Sequence, residues 1–430
     1  LKALVIGLGV SGTSSAKFLK KFGNEVSIYD DNRGVLDKFS GTYPVYNRDE
    51  SYDTVIISPG VPSDHPVVME LRAKGTEVIG EMELAGRYLS NEKVIAVTGT
   101  NGKSTTVSVA CAMLQEAGFK AFLCGNIGEP VIEGVNRDYD FLVIEISSFQ
   151  LETLKSIRPD VSMILNVTPD HLDRYSSYEH YLLTKVELAK LTKPDGLVIL
   201  NGGDEALVAA CRPVNVAKKY FSVKGTGDIS YRNGSIYFGN SELKIDDLYL
   251  KGLHNVENIM ACVLGVTPYI DDVNVLRRCL KNFKPLAHRT EFVDEFEGVV
   301  FIDDSKGTNV GAVEMSLAGF EDGKVVLILG GVDKGGSYEP LRILAEKKCR
   351  GVVLIGEAKD KIKSYFEGFR DLEQAESMKE AVEKSFMLAK NDGVVLLSPA
   401  CSSYDWYKNY KERGNDFRNR VAELKRGLEK

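Results

Sequence analysis

Lys93 to Thr106 reads KVIAVTGTNGKSTT: an apolar, β-branched run, a loop with two glycines, and Lys103-Ser104-Thr105 opening a helix that the pattern carries to about Ala117. A strand that turns through Gly99-Thr100-Asn101-Gly102 into a helix has the context of a phosphate-binding loop. The glycines let consecutive backbone N–H groups close around phosphate oxygens. The Lys103 ammonium suits the β and γ oxygens, and the hydroxyl of Ser104 or Thr105 suits Mg²⁺. The loop is shorter than G-x-x-x-x-G-K-[ST], whose first glycine would fall at Val97. Gly99 through Thr105 are therefore the candidate ATP-binding residues.

Outward from this stretch, short β-branched runs alternate with helical periods, as at Ala3 to Ile6, Val26 to Tyr29, Phe141 to Ile144, Val161 to Leu165, Val325 to Leu329 and Val394 to Leu397. That alternation predicts an α/β protein built on parallel sheets. From Lys218 to about Leu250 the chain turns over quickly through Gly225, Gly227, Gly234 and Gly239, which predicts an antiparallel flap. At about 150 residues per domain, 430 residues make roughly three. Polar breaks at Ser90-Asn91-Glu92 and Lys284-Pro285 place the divisions at 1–91, 92–286 and 287–430.

Composition narrows the function classes. Apolar residues are 43% and charged residues 27% of the chain, as in ordinary globular proteins rather than disordered or fibrous ones. A net charge of -7 without a basic block excludes the footprint of a nucleic-acid binder. Seven scattered cysteines with no C-x-x-C indicate neither a disulfide framework nor a zinc ribbon, and Cys401 reads as a packing residue. No apolar run approaches the ~18 residues of a membrane span. A cytoplasmic setting is the expectation.

Further motifs fall after strands, at the sheet edge where α/β proteins bind ligands. Gly7-Leu8-Gly9-Val10-Ser11-Gly12 opens the first helix, and Asp30 follows the second strand. This suits any nucleotide diphosphate; hydride chemistry and a purely structural turn are the alternatives. Glu145 ends an apolar strand, where a carboxylate beside a P-loop holds Mg²⁺ or else faces solvent. His171 arrives in a polar loop after another strand. Lys185, taken by itself, is a solvated helix lysine. Asn255 and Asn258 share a helix face and either bracket a purine or cap the helix. Arg289 offers a planar fork for phosphate.

GTNGKST, EISSFQ, NVTPDHLDRY, HNVEN, HRTEF, DDSKGTN and SPACSSYDWYKNYKERGNDF, in this order, resemble the Mur ligase family of peptidoglycan synthesis along nearly the whole chain. The resemblance implies a Rossmann-like N-terminal domain that binds UDP and a central P-loop ATPase domain whose mostly parallel sheet carries a small antiparallel flap. A Rossmann-like C-terminal domain takes the incoming amino acid. The GVSG start, SPGV at 58–61 and the long SPACSS block are similar to the branch that joins D-glutamate to UDP-N-acetylmuramoyl-L-alanine. That branch uses ATP, through an acyl phosphate and a tetrahedral intermediate.

By the same resemblance, Lys103, Glu145, His171 and Lys185 are catalytic. Ser104, Thr105, Glu145, His171 and Lys185 serve two Mg²⁺ ions, with CO₂ carried on Lys185 as a carbamate. Asn255, Asn258, Arg289, Asp304 and Lys306 join the P-loop in holding ATP. Val10, Ser11, Asp30, Gly60, Asn126, Gln150 and His171 match positions for the UDP-sugar, and Thr308, Lys334, Ser403 and Tyr410 match those for D-glutamate. The resemblance implies a monomer with small-molecule partners only, neither nucleic acid nor membrane. Two positions depart from the family pattern. Asp31-Asn32-Arg33 follows Asp30 where the family places threonine and arginine, and Tyr410 stands where phenylalanine is common.

Three other readings compete. A folylpolyglutamate-type ligase lacks the GLGVSG domain. An NAD-dependent oxidoreductase leaves the P-loop without a task, and a nucleotide switch hydrolyses ATP indifferently to UDP-sugar.

Overall fold

The β-branched runs form the strands of three sheets in a computed structural model that describes every residue except 63, 172–173, 224–226, 246–247, 249, 251, 285, 336 and 430. The first sheet holds β1 (Lys2–Ile6), β2 (Glu25–Tyr29), β3 (Thr54–Ile57) and β4 (Glu77–Gly80), all parallel in the order β2-β1-β3-β4. Ala3, Leu4 and Val5 are fully buried on both faces, as a continuous apolar run in a parallel sheet requires.

Nine strands make the second sheet: β5 (Lys93–Thr98), β6 (Ala121–Gly125), β7 (Phe141–Glu145), β8 (Val161–Ile164), β9 (Leu197–Asn201), β10 (Ala217–Phe221), β11 (Ile229–Arg232), β12 (Ser235–Phe238) and β13 (Ser241–Lys244). Their order is β13-β12-β11-β10-β9-β8-β5-β7-β6. β5 thus lies between β7 and β8, and all three run parallel. The P-loop, Glu145 and the loop after β8 therefore leave one edge of the sheet together. The flap is shorter than the 218–250 expected. β10 pairs in parallel with β9, so among the described residues antiparallel pairing begins only at β11 and ends at β13. Gly225, counted in that flap, lies outside the described residues, as do Pro285 of the second predicted break and Leu172 and Asp173 of the NVTPDHLDRY motif.

The third sheet comprises β14 (Glu291–Phe296), β15 (Val299–Asp303), β16 (Val325–Gly330), β17 (Cys349–Ile355), β18 (Leu372–Gln374) and β19 (Val394–Leu397). The order is β14-β15-β19-β16-β17-β18, and only the edge strand β14 is antiparallel. Apolar side chains cover both faces. Val313, Leu317 and Leu341 lie on one, and Val382, Phe386 and Phe417 on the other.

The chain packs as two units. Leu1–Val167, Leu182–Asp246 and Glu257–Asn282 form the first, with two of the sheets; Thr168–Tyr181, Asp247–Val256 and Phe283–Lys430 form the second. Within the first unit the short helix Glu81–Gly86 bolts the first sheet to the second. Glu83 is buried and accepts hydrogen bonds from the Lys155 amide at 2.7 Å, the Ser156 amide at 2.8 Å and the Ser156 hydroxyl at 2.6 Å. Glu81 accepts from the Ile132 amide at 2.7 Å. No helix among the described residues is long and apolar enough to cross a membrane.

Candidate active site

In the first unit the P-loop leaves β5 at Thr98 and enters the helix Lys103–Glu116 through Gly102, which adopts φ 84°. Glycine is required there on two counts. The left-handed backbone suits it, and an added Cβ would lie 2.3 Å from Asn258 Oδ1. Asn258 thus packs directly on the loop. Asn166, in the loop after β8, accepts the Asn101 amide at 2.9 Å, donates to the Asn101 carbonyl at 3.1 Å and offers its own carbonyl to the Thr100 amide at 2.8 Å. Lys103 Nζ donates to the carbonyls of Gly99 and Thr100, both at 2.8 Å.

Lys185 overturns the reading it receives in isolation. On the helix Tyr178–Leu191 it is 1% exposed, and its Nζ donates to the Gly99 carbonyl at 2.9 Å. A buried lysine against a phosphate-binding loop is no solvated surface group.

Glu145, 1% exposed at the end of β7, accepts from Asn126 Nδ2 at 2.7 Å through Oε1. Its Oε2 is buried with no hydrogen-bond partner among the described residues, and so is Thr98 Oγ1. An orphaned carboxylate oxygen is a hard donor, which fits Mg²⁺. Ser104 and Thr105, both buried, add oxygen donors at the start of the adjoining helix. Gln150 closes a capping box with Ser147: its Oε1 accepts the Ser147 amide at 2.9 Å while Ser147 Oγ accepts the Gln150 amide at 3.3 Å.

A second pocket of the same unit opens beside the first sheet. Val10, Ser11, Asp30 and Gly60, predicted from separate motifs, all line one cavity of about 400 Å³ with Tyr29, Asp31 and His65. Gly12 seats the helix that forms its floor, since a Cβ there would meet the Gly7 carbonyl at 1.9 Å. Asp30 accepts the Leu8 amide at 2.7 Å and the Asn32 amide at 2.9 Å, so both its oxygens brace the loops.

The second unit carries the remaining candidates. His171, with φ 55°, stands 3.7 Å from Asp170, whose other contacts are the His171 amide at 2.9 Å and Asn309 Nδ2 at 3.0 Å. Asn255 begins the helix Leu253–Val266, one turn before Asn258. Asp304 directs its carboxylate inward, to the hydroxyls of Ser398 at 2.6 Å and Ser316 at 2.7 Å and to the Thr290 amide at 3.1 Å. Burial pushes its carboxyl up to about 6. It therefore anchors the turn that presents Arg289. Lys306 places its ammonium 4.3 Å from the centre of the Tyr410 ring, a cation–π contact.

Lys334 Nζ donates to Thr308 Oγ1 at 3.4 Å. Val332 and Ser402 exchange backbone hydrogen bonds at 2.9 and 3.1 Å, which brings the loop of Ser403 beside that of Lys334. Cys401 packs in the core as expected, and its Sγ lies 3.1 Å from the Tyr338 hydroxyl.

Sequence reasoning missed the residue that ties these loops together. Arg413, 1% exposed, donates to Ser305 Oγ at 3.0 Å and to the carbonyls of Ser305 at 2.9 Å, Cys401 at 3.1 Å and Ser402 at 3.3 Å. Burial lowers its pKa to about 10. Beside it, His288 Nδ1 pairs with Asp303 Oδ2 at 2.6 Å. The available signal was the YKERGNDF string, where an arginine stands one helical turn after the cap Asn409.

A P-loop beside an orphaned carboxylate, in a chain that also carries a dinucleotide-type pocket and a third α/β sheet, defines a nucleotide-using enzyme of the ligase type. The chain belongs to the Mur ligase family. Residues 1–80 match the Mur ligase MurD-like N-terminal domain, 97–266 the Mur ligase middle domain and 288–401 the Mur ligase glutamate ligase domain. It is 39% identical, over 98% of its length and 99% of the relative's, to a UDP-N-acetylmuramoylalanine--D-glutamate ligase of Caldicellulosiruptor saccharolyticus. To one of Citrifermentans bemidjiense it is 40% identical, over 99% and 98%.

Among solved structures, a UDP-N-acetylmuramate-alanine ligase from Thermotoga maritima superposes with a TM-score of 0.65 at 18% identity, over 98% of this chain and 99% of that one. MurF from Acinetobacter baumannii gives 0.67 at 16%, over 96% and 93%. These two likenesses establish the three-domain α/β fold.

Proposed function

We propose that this chain joins D-glutamate to UDP-N-acetylmuramoyl-L-alanine, coupled to cleavage of ATP to ADP and phosphate. The full-length likeness to relatives bearing that name supports the reaction. The observation that carries the chemistry is Glu145 Oε2, a buried carboxylate oxygen beside the P-loop without a hydrogen-bond partner among the described residues.

A substrate carboxylate oxygen attacks the γ-phosphorus of ATP, and ADP departs. The amine of D-glutamate then adds to the carbonyl carbon of the acyl phosphate. The tetrahedral intermediate loses a proton from nitrogen and expels phosphate, leaving an amide. Lys103 and the P-loop amides hold the phosphates, while Asn166 and Asn258 keep the loop rigid, so little reorganisation accompanies charge transfer. Mg²⁺, held by Glu145, Ser104, Thr105 and His171 with a carbamate on Lys185, would neutralise phosphate charge. We assign two such ions.

The cavity around Val10, Ser11, Asp30 and Gly60 takes the uridine diphosphate, and Asn126 and Gln150 address the sugar. Arg289, Lys306 and Asn255 hold nucleotide, with Asp304 fixing the turn behind Arg289. Thr308, Lys334, Ser403 and Tyr410 receive the D-glutamate carboxylates. The domains run 1–91, 92–286 and 287–430, and the enzyme acts as a cytoplasmic monomer.

Phosphate release from ATP with UDP-N-acetylmuramoyl-L-alanine, measured with and without D-glutamate, tests the reading. Release that needs both substrates is expected. Release indifferent to either would leave only a nucleotide-binding protein.

A further inference from the structure

Lys334 stands between two residues that are pinned in place. On one side Asp333 accepts the Tyr338 hydroxyl at 2.7 Å through Oδ1, Lys361 Nζ at 2.6 Å through Oδ2, and the Gly335 amide from across Lys334 itself. An aspartate that bonds the amide two residues on closes a turn, with Lys334 at its apex. On the other side Gly335 adopts φ 79°, a backbone that suits glycine. The Lys334 ammonium is directed to Thr308 Oγ1 at 3.4 Å.

Tyr338 extends the arrangement into the core, where it is 2% exposed. The Lys361 and then the Tyr338 hydrogen bonds, against the pull of burial, hold the Asp333 carboxyl below the usual carboxylate range. A carboxylate only accepts, so the single hydrogen of the Tyr338 hydroxyl goes to Asp333, and the Cys401 thiol at 3.1 Å must donate to the hydroxyl oxygen. Cys401 lies two residues before Ser403. The loops of Lys334 and Ser403 are thus joined through side chains as well as through Val332 and Ser402.

Lys361 comes from a different segment, the helix Lys359–Tyr365, and its side chain is 40% exposed. Lys334 adjoins Asp333 in the chain, so the two lysines are rivals for one carboxylate. In the structure Lys361 takes it, and the Lys334 ammonium turns to Thr308. We propose that Lys361 is a positioning residue of the amino-acid site: by occupying Asp333 it keeps the Lys334 ammonium available to a carboxylate of the incoming amino acid. The inference rests on the reading of Thr308, Lys334 and Ser403 as that site.

Steady-state phosphate release, with D-glutamate varied at saturating ATP and UDP-N-acetylmuramoyl-L-alanine, tests it. Lys361→Met leaves Asp333 to attract Lys334 and should raise KM for D-glutamate about fivefold, the scale of a partly exposed ion pair, with kcat and KM for ATP within about twofold of the parent. Lys361→Arg retains the charge and should behave as the parent. Adding Asp333→Asn to Lys361→Met removes the rival charge and should bring KM back to within about twofold, whereas damage to packing would be compounded by the second change. A Lys361→Met enzyme with the parent's KM, a double variant without rescue, or a loss spread over kcat and both KM values overturns the inference and leaves the proposed reaction standing. A parent that releases no phosphate in response to D-glutamate overturns the reaction and the inference with it.

Discussion

Glu81→Gln should stabilise the protein at alkaline pH and do progressively less as the pH falls. The Glu81 side chain is 4% exposed, between the first and second sheets. Burial drives its carboxyl from 4.5 up to about 7, against the opposing pull of the Ile132 and Val131 amides. Its titratable neighbours, Glu133 and Cys124, add no positive charge. The folded state therefore binds the proton more tightly than the unfolded chain does. Stability falls as the pH rises from the unfolded value toward the folded one and is flat above it. A rise from 4.5 to about 7, at about 1.4 kcal/mol per pH unit, makes the charged form cost about 3 kcal/mol. Glutamine carries no such cost, and its carbonyl still accepts the Ile132 amide. The difference between variant and parent should thus grow by about 2.5 kcal/mol between pH 5 and pH 8.5. At about 2 °C per kcal/mol for a unit of this size, that is roughly 5 °C in Tm by scanning calorimetry. A gap that stays constant across this range would refute the argument, because only a proton held at Glu81 ties the gap to pH.

Two further perturbations probe the site itself. Gly12→Ala should unseat the first helix, since its Cβ meets the Gly7 carbonyl at 1.9 Å and Ser58 Oγ at 2.8 Å; a loss of about 3 kcal/mol in urea unfolding is expected, with UDP binding lost too. Gly9→Ala, three residues away with nothing within 4 Å, is the control and should leave Tm unchanged. Lys185→Ala should abolish ligation, and stripping CO₂ from the buffer should slow the parent enzyme until bicarbonate restores it; a parent rate indifferent to CO₂ would exclude the carbamate.

The sheets were legible where the strands are β-branched and buried on both faces. Val94 to Thr98 was predicted, and Lys93–Thr98 forms. Strands without that signature escaped. Ala121–Gly125 contains no β-branched residue, and Glu77–Gly80 has only two. Glu291–Phe296 is an antiparallel edge whose pattern is interrupted by a bulge between Phe292 and Asp294. The flap expected from the glycine spacing reaches back into Ala217–Phe221, which in the fold continues the parallel ladder from β9. Val10, Ser11, Asp30 and Gly60, spread over fifty residues, converge on one cavity because parallel connections return every loop to the same sheet edge.

What the sequence hid is the support behind the motifs, and the reason is common to every case. Lys185 lies on a helix that mixes buried and exposed residues, and nothing local announced that its ammonium reaches the Gly99 carbonyl, eighty-six positions away. Arg413 reaches back 108 positions to the Ser305 carbonyl and hydroxyl, and Asn166 grips Asn101 from the neighbouring strand's loop. Each of these side chains bonds backbone groups of a loop at the end of a strand, and leaving such a group buried and unpaired costs about 1–3 kcal/mol. A loop held this way cannot collapse into its own binding site. Rigidity in the loops at Gly99–Asn101 and Ser305 is therefore supplied by polar side chains from distant segments, and a sequence pattern that is local by construction cannot register them.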